Sequence, residues 1–236
     1  MPRRFTGRTE AGRELALRLA HLRDLDPIVL ALPRGGLPVA HEIARSLRAP
    51  LDVLIVRKLG VPWHPELAMG AIATGGVRAL NDDVIAETGV TEEELEAATA
   101  RERAELDRRE RVYRAGRPAP ALRGRTVVLV DDGIATGATV RAAIAVVRAQ
   151  DPARLVLAVP VVQASIAIEL SRDVDEIACV LAPRELFAIG AWYDSFPQLA
   201  DEDVRATLDR AAAEQTAREH AAPARALDGG ARLAPS

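Results

Sequence analysis

Two adjacent acids, Asp131 and Asp132, stand where four apolar β-formers, Val127-Val128-Leu129-Val130, give way to the run Gly133-Ile134-Ala135-Thr136-Gly137-Ala138-Thr139. An amphipathic segment follows, with Val140, Ile144 and Val147 at spacing i, i+4, i+7. The order reads as strand, acidic strand end, small-residue loop, helix. Such a loop presents several backbone N–H groups at a helix N-terminus, where the helix dipole also favours an anion. Thr136 and Thr139 add hydroxyl donors. Two carboxylates beside an anion site call for something positive or hydroxyl-rich between them. A phosphorylated sugar, with Mg²⁺ carried on a phosphate, meets both demands. The plain structural alternative is a buried parallel strand with a tight turn. A P-loop would end in Gly-Lys-Ser/Thr, and there is no lysine here. A receiver domain also gathers acids at strand ends, but it does not need the Thr-Gly-Ala-Thr loop.

Two other clusters have comparable chemistry. Arg34-Gly35-Gly36 follows the apolar run Ile28–Leu32 and precedes a helical pattern with Pro38 near its start and Val39, Ile43 and Leu47 on one face. Its glycines let backbone approach a ligand closely and offer N–H groups to a phosphate. A plain turn is the bland reading. Arg57-Lys58 closes the run Leu51–Val56. Cations on a strand end usually face water, but a site with two acids and a phosphorylated ligand needs positive charge nearby.

The elements that position these clusters alternate. Strands are expected at 28–32, 51–56, 127–130, 155–162 and 177–181, with helices at 11–25, after Gly36, after Thr139 and at 165–170. That order argues for a parallel sheet with right-handed crossovers. Ligands bind such sheets outside the carboxyl ends of the strands, at a switch in strand order. All three clusters sit at carboxyl ends, which points to one shared site. Segment 59–70, rich in Gly, Pro and Trp, reads as a loop. Residues 71–80 read as a hairpin with Gly75-Gly76 as its turn. Residues 91–115 read as a charged, solvated helical insertion or a subunit contact. Thr91 and Glu94 form a capping box, and Glu105/Arg109, Asp107/Arg111 and Glu110/Arg114 are i,i+4 pairs. Leu95, Ala98, Leu106 and Tyr113 form a thin apolar face. A last helix is expected over about 201–220, and a disordered tail rich in Ala, Pro and Gly over 221–236.

Size and composition bound the rest. The 236 residues suit a single domain over 1–220, 49% are hydrophobic and 28% charged, and the net charge of −3 offers no basic face for nucleic acid. The single Cys179 cannot form an internal disulfide and reads as a small buried hydrophobe. No apolar run reaches a membrane span, and Met1-Pro2-Arg3-Arg4-Phe5-Thr6 lacks the apolar core of a signal peptide. A cytoplasmic protein with no membrane partner is the expectation.

Residues 127–139 resemble the PRPP-binding signature of type I phosphoribosyltransferases: four hydrophobics, two acids, a short spacer, then Thr-Gly and a small or hydroxyl residue. The resemblance extends over most of 5–210. It implies an α/β fold whose central, mostly parallel five-stranded sheet is flanked by helices. A hairpin flexible loop (59–80), the helical insertion (91–115) and a small hood (183–200) would complete it. It implies a transferase of nucleotide metabolism that moves 5-phosphoribosyl from PRPP to a nitrogen acceptor, a nucleobase, with release of pyrophosphate. By resemblance, Arg34, Gly35 and Gly36 grip pyrophosphate. Ala135, Thr136, Gly137, Ala138 and Thr139 hold the 5′-phosphate. Asp131 and Asp132 meet the ribose diol, and Arg57 and Lys58 neutralise the leaving group. Mg²⁺ is the implied cofactor, with Asp131, Asp132 and Asp194 near it. Dimers are frequent in the family, so a homodimer is implied as well.

Segment 59–80 corresponds in position to the family's closing loop. It carries Trp63, His64 and Glu66 but neither the Ser-Tyr pair of the hypoxanthine-guanine branch nor the lysine-rich loop of the orotate branch. His64 reads as a loop residue, a catalytic base being the alternative, and Glu66 as a candidate partner of a base or amine. The run Phe187-Ala188-Ile189-Gly190-Ala191-Trp192-Tyr193-Asp194 resembles the hypoxanthine-guanine hood, which would give Phe187, Trp192 and Tyr193 to the acceptor, hood packing being the alternative for the last two. No lysine stands in Val180-Leu181-Ala182-Pro183, where that branch reads a 6-oxo group. The competing functional reading is a non-catalytic PRPP- or nucleotide-binding regulator of the same fold. On the enzyme reading, Asp132→Asn should lower turnover far more than stability.

Overall fold

The computed structural model describes residues 3–221. Residues 222–236, and with them nearly all of the expected tail, lie outside the described residues. Strands β1 (Ile28–Ala31), β2 (Leu51–Val53), β6 (Thr126–Val130), β7 (Arg154–Val161) and β8 (Glu176–Leu181) form one sheet in the order β2-β1-β6-β7-β8, and every pairing in it is parallel. Strands β3 (Val56–Val61), β4 (His64–Ala73) and β5 (Arg78–Leu80) form a separate antiparallel sheet. The helices are α1 (Arg8–Arg18), α2 (Gly36–Leu47), α3 (Asp82–Thr88), α4 (Glu92–Arg114), α5 (Ala138–Arg148), α6 (Ala164–Leu170) and α7 (Asp201–Ala221).

The parallel strands are apolar throughout because both faces are covered. Period-2 alternation divides them. Val29, Ala31, Val128, Val130, Val156 and Ala158 join a core with α1, α2, α4 and α7. Leu30, Val127, Leu129, Leu155, Leu157 and Val159 join a second core with α5 and α6. Cys179 is half-buried against that second core, and burial pushes its thiol up. Connections from β1 run outward to β2, whereas those from β6 run the other way to β7 and β8. The order therefore switches between β1 and β6, and the loops after these two strands face each other there.

The five-stranded parallel sheet is as expected. Three segments differ. Residues 59–70 are not a loop: β3 and β4 pair from Val56↔Ala73 to Val61↔His64, with register shifts around Gly60. The Gly and Pro content misleads because Gly60 permits a close crossing, its Cβ position lying 2.4 Å from the Pro65 carbonyl oxygen. Arg57 and Lys58 therefore lie within β3 rather than beyond β2. The short helix α3, capped by Asn81 accepting from the Val84 N–H, is an addition to the expected elements. The third is α4. Its Thr91–Glu94 capping box and Glu105–Arg109 pair form as expected. Its apolar face is fully used, however: Leu95, Ala98, Leu106 and Tyr113 are buried in the first core. Glu110 instead accepts from the Gly75 N–H, and buried Arg114 reaches Asp52 and the Val53 carbonyl.

Candidate active site at the β1/β6 switch

The loop after β1 packs directly on the acids after β6. A Cβ on Gly35 would lie 2.0 Å from Asp132 Oδ2, and one on Gly36 would lie 2.6 Å from the Val130 carbonyl oxygen and 2.9 Å from Asp131 Cα. Only glycine allows this approach. Gly35→Ala is expected to displace the buried Asp132 carboxylate and cost about 2 kcal/mol or more. A thermal melt checks this, and an unchanged midpoint would contradict it.

Asp132 is 7% exposed and is held by a residue the sequence did not single out. Arg8, in the first turn of α1, donates from Nε to Asp132 Oδ2 at 2.8 Å and from Nη1 to the Pro197 carbonyl at 2.9 Å. Its guanidinium lies 3.7 Å from the centre of the Phe196 ring. Burial pushes the Asp132 carboxyl up, while the Arg8 hydrogen bond and charge pull it down. Asp131 is in no ion pair among the described residues, and the Arg8 charge acts on it only from its place on Asp132. Its Oδ1 accepts from the Asp132 N–H at 2.9 Å, and burial followed by the Asp132 charge hold its carboxyl well above the usual range. The two acids thus differ: Asp132 is clamped by a buried guanidinium, and Asp131 is held by a backbone N–H.

The small-residue loop runs on into α5. Ile134 is pinned to the end of β7, its N–H donating to Val161 and its carbonyl accepting from Gln163. Gly137 caps α5 in the left-handed region at φ 78°, and no side chain caps the N-terminal N–H groups. Thr136, Ala138 and Thr139 are exposed and Ala135 is half-exposed. The N-terminal N–H groups of α5 thus have no side-chain cap among the described residues.

Arg34, Arg57, Lys58, Thr136 and Thr139 line three recesses. One, about 350 Å³, is lined by Arg8, Arg34, Gly35, Asp132, Phe196 and Gln198, among others. Arg34 there donates from Nη1 to the Leu199 carbonyl at 2.6 Å. A second, about 500 Å³, has Arg57, Lys58 and Thr139 in its wall, together with Glu66 of β4 and Arg101 and Glu102 of α4. A third, of about 350 Å³, continues from Lys58 to Thr136 and Arg141. Arg101 and Glu102 of α4 are not among the residues that the sequence analysis singles out.

The hood places its aromatics differently from the expectation. Tyr193 is 3% exposed; it packs on Phe5 and Phe196, and its hydroxyl donates to the Asp132 carbonyl at 2.6 Å. It has no face left for a base. Trp192 is half-buried beside it, and Phe187 is 91% exposed. Asp194 is exposed, with its carboxylate 3.9 Å from Arg4, and does not join the acid pair. Phe5 and residues 192–194 are joined by backbone hydrogen bonds, so the N-terminal segment completes the hood. His64 Nδ1 accepts from the Leu67 N–H, as befits a hairpin residue.

Residues 10–193 match the phosphoribosyl transferase domain family. This chain belongs to that family. Two Mycobacterium tuberculosis proteins, from strains CDC 1551 / Oshkosh and ATCC 25618 / H37Rv, are 50% identical to it over 207 residues. Both are named for phosphoribosyl transferase, and neither name gives an acceptor. The matches cover 88% of this chain and 47% of each relative, so the chain spans about half the length of the curated relatives it matches. The crystal structure of TT1426 from Thermus thermophilus is 44% identical, with a TM-score of 0.81, covering 87% of this chain and 97% of that one. The type I phosphoribosyltransferase-like fold is thus both what the resemblance implied and what the chain has.

Proposed function

We propose that this chain is a phosphoribosyltransferase that binds PRPP across the β1/β6 switch and passes its 5-phosphoribosyl group to a nitrogen acceptor. One observation carries the reading. At the switch, uncapped donors at the start of α5 lie on the same chain segment as Asp131, whose carboxylate is in no ion pair among the described residues, opposite a glycine loop that packs on the acid pair. An anion at one end and a diol or cation at the other is what a 5-phosphoribosyl group with its metal supplies. The residues form one unit over 1–220, in which 59–80 serves as the closing loop, 91–115 as the insertion and 183–200 as the hood.

Loss of pyrophosphate from an anomeric carbon needs charge placement more than covalent help. Residues 135–139 would hold the 5′-phosphate through N–H and hydroxyl donors. Asp131 would accept from the ribose hydroxyls and steady the growing positive charge, with Asp132 fixed behind it. Arg34, Arg57 and Lys58 would take the leaving pyrophosphate. The β3–β4 hairpin would exclude water. Mg²⁺ fits the donor set: no group of three or more His, Cys, Asp or Glu among the described residues could cage a metal, but one or two carboxylates beside phosphates are its usual protein share. Asp131 and Asp132 would hold it, and it would supply charge neutralisation at the pyrophosphate. The acceptor is a small nitrogenous compound, with Trp192 and exposed Phe187 left to meet it. The regulator reading draws on the buried Tyr193, which removes one stacking face. No helix among the described residues is long and apolar enough to cross a membrane. We place the protein in the cytoplasm, without nucleic-acid or membrane partners, as a homodimer.

Pyrophosphate release from PRPP across a panel of nitrogen bases tests the reading; release with one base supports the enzyme, and PRPP binding without release on any base supports the regulator. Thr136→Val should weaken PRPP binding about 5- to 10-fold by removing one donor to a charged oxygen. Thr136 is exposed, so stability should hold. Unaltered affinity in calorimetry would count against the loop's role.

A further inference from the structure

Two of the three cations expected to meet pyrophosphate, Arg57 and Lys58, are engaged by carboxylates without it. Arg57 Nε and Nη2 lie 2.7 and 2.6 Å from the same Glu102 oxygen, Oε2. Lys58 Nζ lies 3.4 Å from Glu66 Oε2. Glu102 and Glu66 come from different elements, α4 and β4, yet both stand in the wall of the recess that holds Arg57, Lys58 and Thr139. The placement of Glu102 on α4 is telling. Ala98 and Leu106, four residues to either side, are 3% and 1% exposed. Glu102 therefore occupies the inward stripe of the helix, where the pattern otherwise puts apolar residues. A glutamate serving only solubility belongs on the opposite face. This one is 30% exposed at its side chain, and its Arg57 partner 31%, so a ligand in the recess can reach both.

We propose, building on the PRPP reading above, that Glu102 sets affinity for the pyrophosphate group by acting as an internal counter-anion that holds Arg57 when the recess is empty and cedes it to pyrophosphate. The exchange suits Arg57, whose planar fork binds carboxylate and phosphate in the same two-point manner. It costs affinity, because the Arg57–Glu102 contact is lost and the freed carboxylate repels the anion beside it. Glu66 plays the same part for Lys58 more weakly, being 90% exposed at its side chain. A weaker hold on pyrophosphate favours its departure as product.

Glu102→Gln tests this by calorimetry with Mg²⁺ present. Glutamine keeps the size and helix preference of glutamate but not its charge. PRPP and inorganic pyrophosphate should each bind about 3- to 10-fold tighter. Ribose 5-phosphate, which lacks the pyrophosphate, should bind with unchanged affinity, and Glu102→Asp should bind PRPP nearly as the parent does. A purely structural Glu102 would give weaker or equal PRPP binding, and a general charge effect would tighten ribose 5-phosphate equally; either outcome overturns the proposal. If the parent chain binds no PRPP, the PRPP reading itself fails and the proposal falls with it. If the parent binds PRPP and only the Glu102 variants misbehave, the proposal fails alone.

Discussion

Replacing Asp131 by Asn is expected to lower PRPP-dependent turnover about 100- to 1000-fold while the chain melts at the same or a higher temperature. The two effects have one cause. Burial and the neighbouring Asp132 charge raise the Asp131 carboxyl, so the folded chain holds that proton more tightly than the unfolded chain does. The ionised carboxylate therefore costs stability at pH values above its raised folded pKa, and the cost fades as pH falls through that value. Asparagine stays neutral, and its oxygen can still accept from the Asp132 N–H, the bond that Asp131 Oδ1 accepts. The stability gain should thus be present at pH 7 and shrink in acid, with each kcal/mol raising the midpoint by about 2–4 °C for a chain of this length. An Asp131→Asn variant that melts well below the parent, or that keeps its turnover, would refute the assignment of Asp131 as the acid that waits for ligand.

Arg8→Met should be among the most destabilising single changes in the protein, at roughly 3–5 kcal/mol. Arg8 and Asp132 side chains are 9% and 11% exposed, so removing the cation leaves a buried carboxylate alone. The same change frees the Pro197 carbonyl and uncovers Phe196, which loosens the hood. The double variant Arg8→Met/Asp132→Asn should regain most of the loss, since no uncompensated charge remains. Chemical denaturation of the four members of this cycle measures the coupling, and additive losses would mean that the pair is not the seat of the effect. The same geometry corrects the expectation for Asp132→Asn alone. That substitution leaves a buried guanidinium without its counter-charge, so it must lower stability together with turnover. Asp131, not Asp132, is the position where function and stability are expected to separate.

Why some of this was legible and some not follows from range. The strand ends were readable because Val127–Val130 and Ile28–Leu32 are continuous apolar runs bounded by acids or glycines, a local signal of a doubly covered strand. The small-residue loop between β6 and α5 was readable because its residues are consecutive. The contact between Gly35 and Asp132, by contrast, depends on β1 pairing with β6 across almost a hundred residues, which alternation cannot reveal. Arg8 lies 124 residues from Asp132, yet it left one physical trace: a cation in the first turn of a helix opposes the helix dipole and needs a nearby anion. Glu102 left a similar trace, as a charge on the apolar stripe of α4. The hairpin β3–β4 was hidden by its own composition, because Gly60, Pro62 and Pro65 signal a loop even where a register shift lets them sit in or beside a ladder. Tyr193 carried no sequence sign that separates stacking on a base from packing on Phe5 and Phe196. Its burial between Phe5 and Phe196 and its hydroxyl on the Asp132 carbonyl decide between them in this structure.

The most direct test of the central claim is calorimetric titration of the chain with PRPP, with and without Mg²⁺. The account predicts saturable one-site binding that strengthens with Mg²⁺ and weakens sharply in the Asp131→Asn variant. Absence of binding under both conditions, or equal binding by that variant, would contradict it and show that the β1/β6 switch is not a PRPP site.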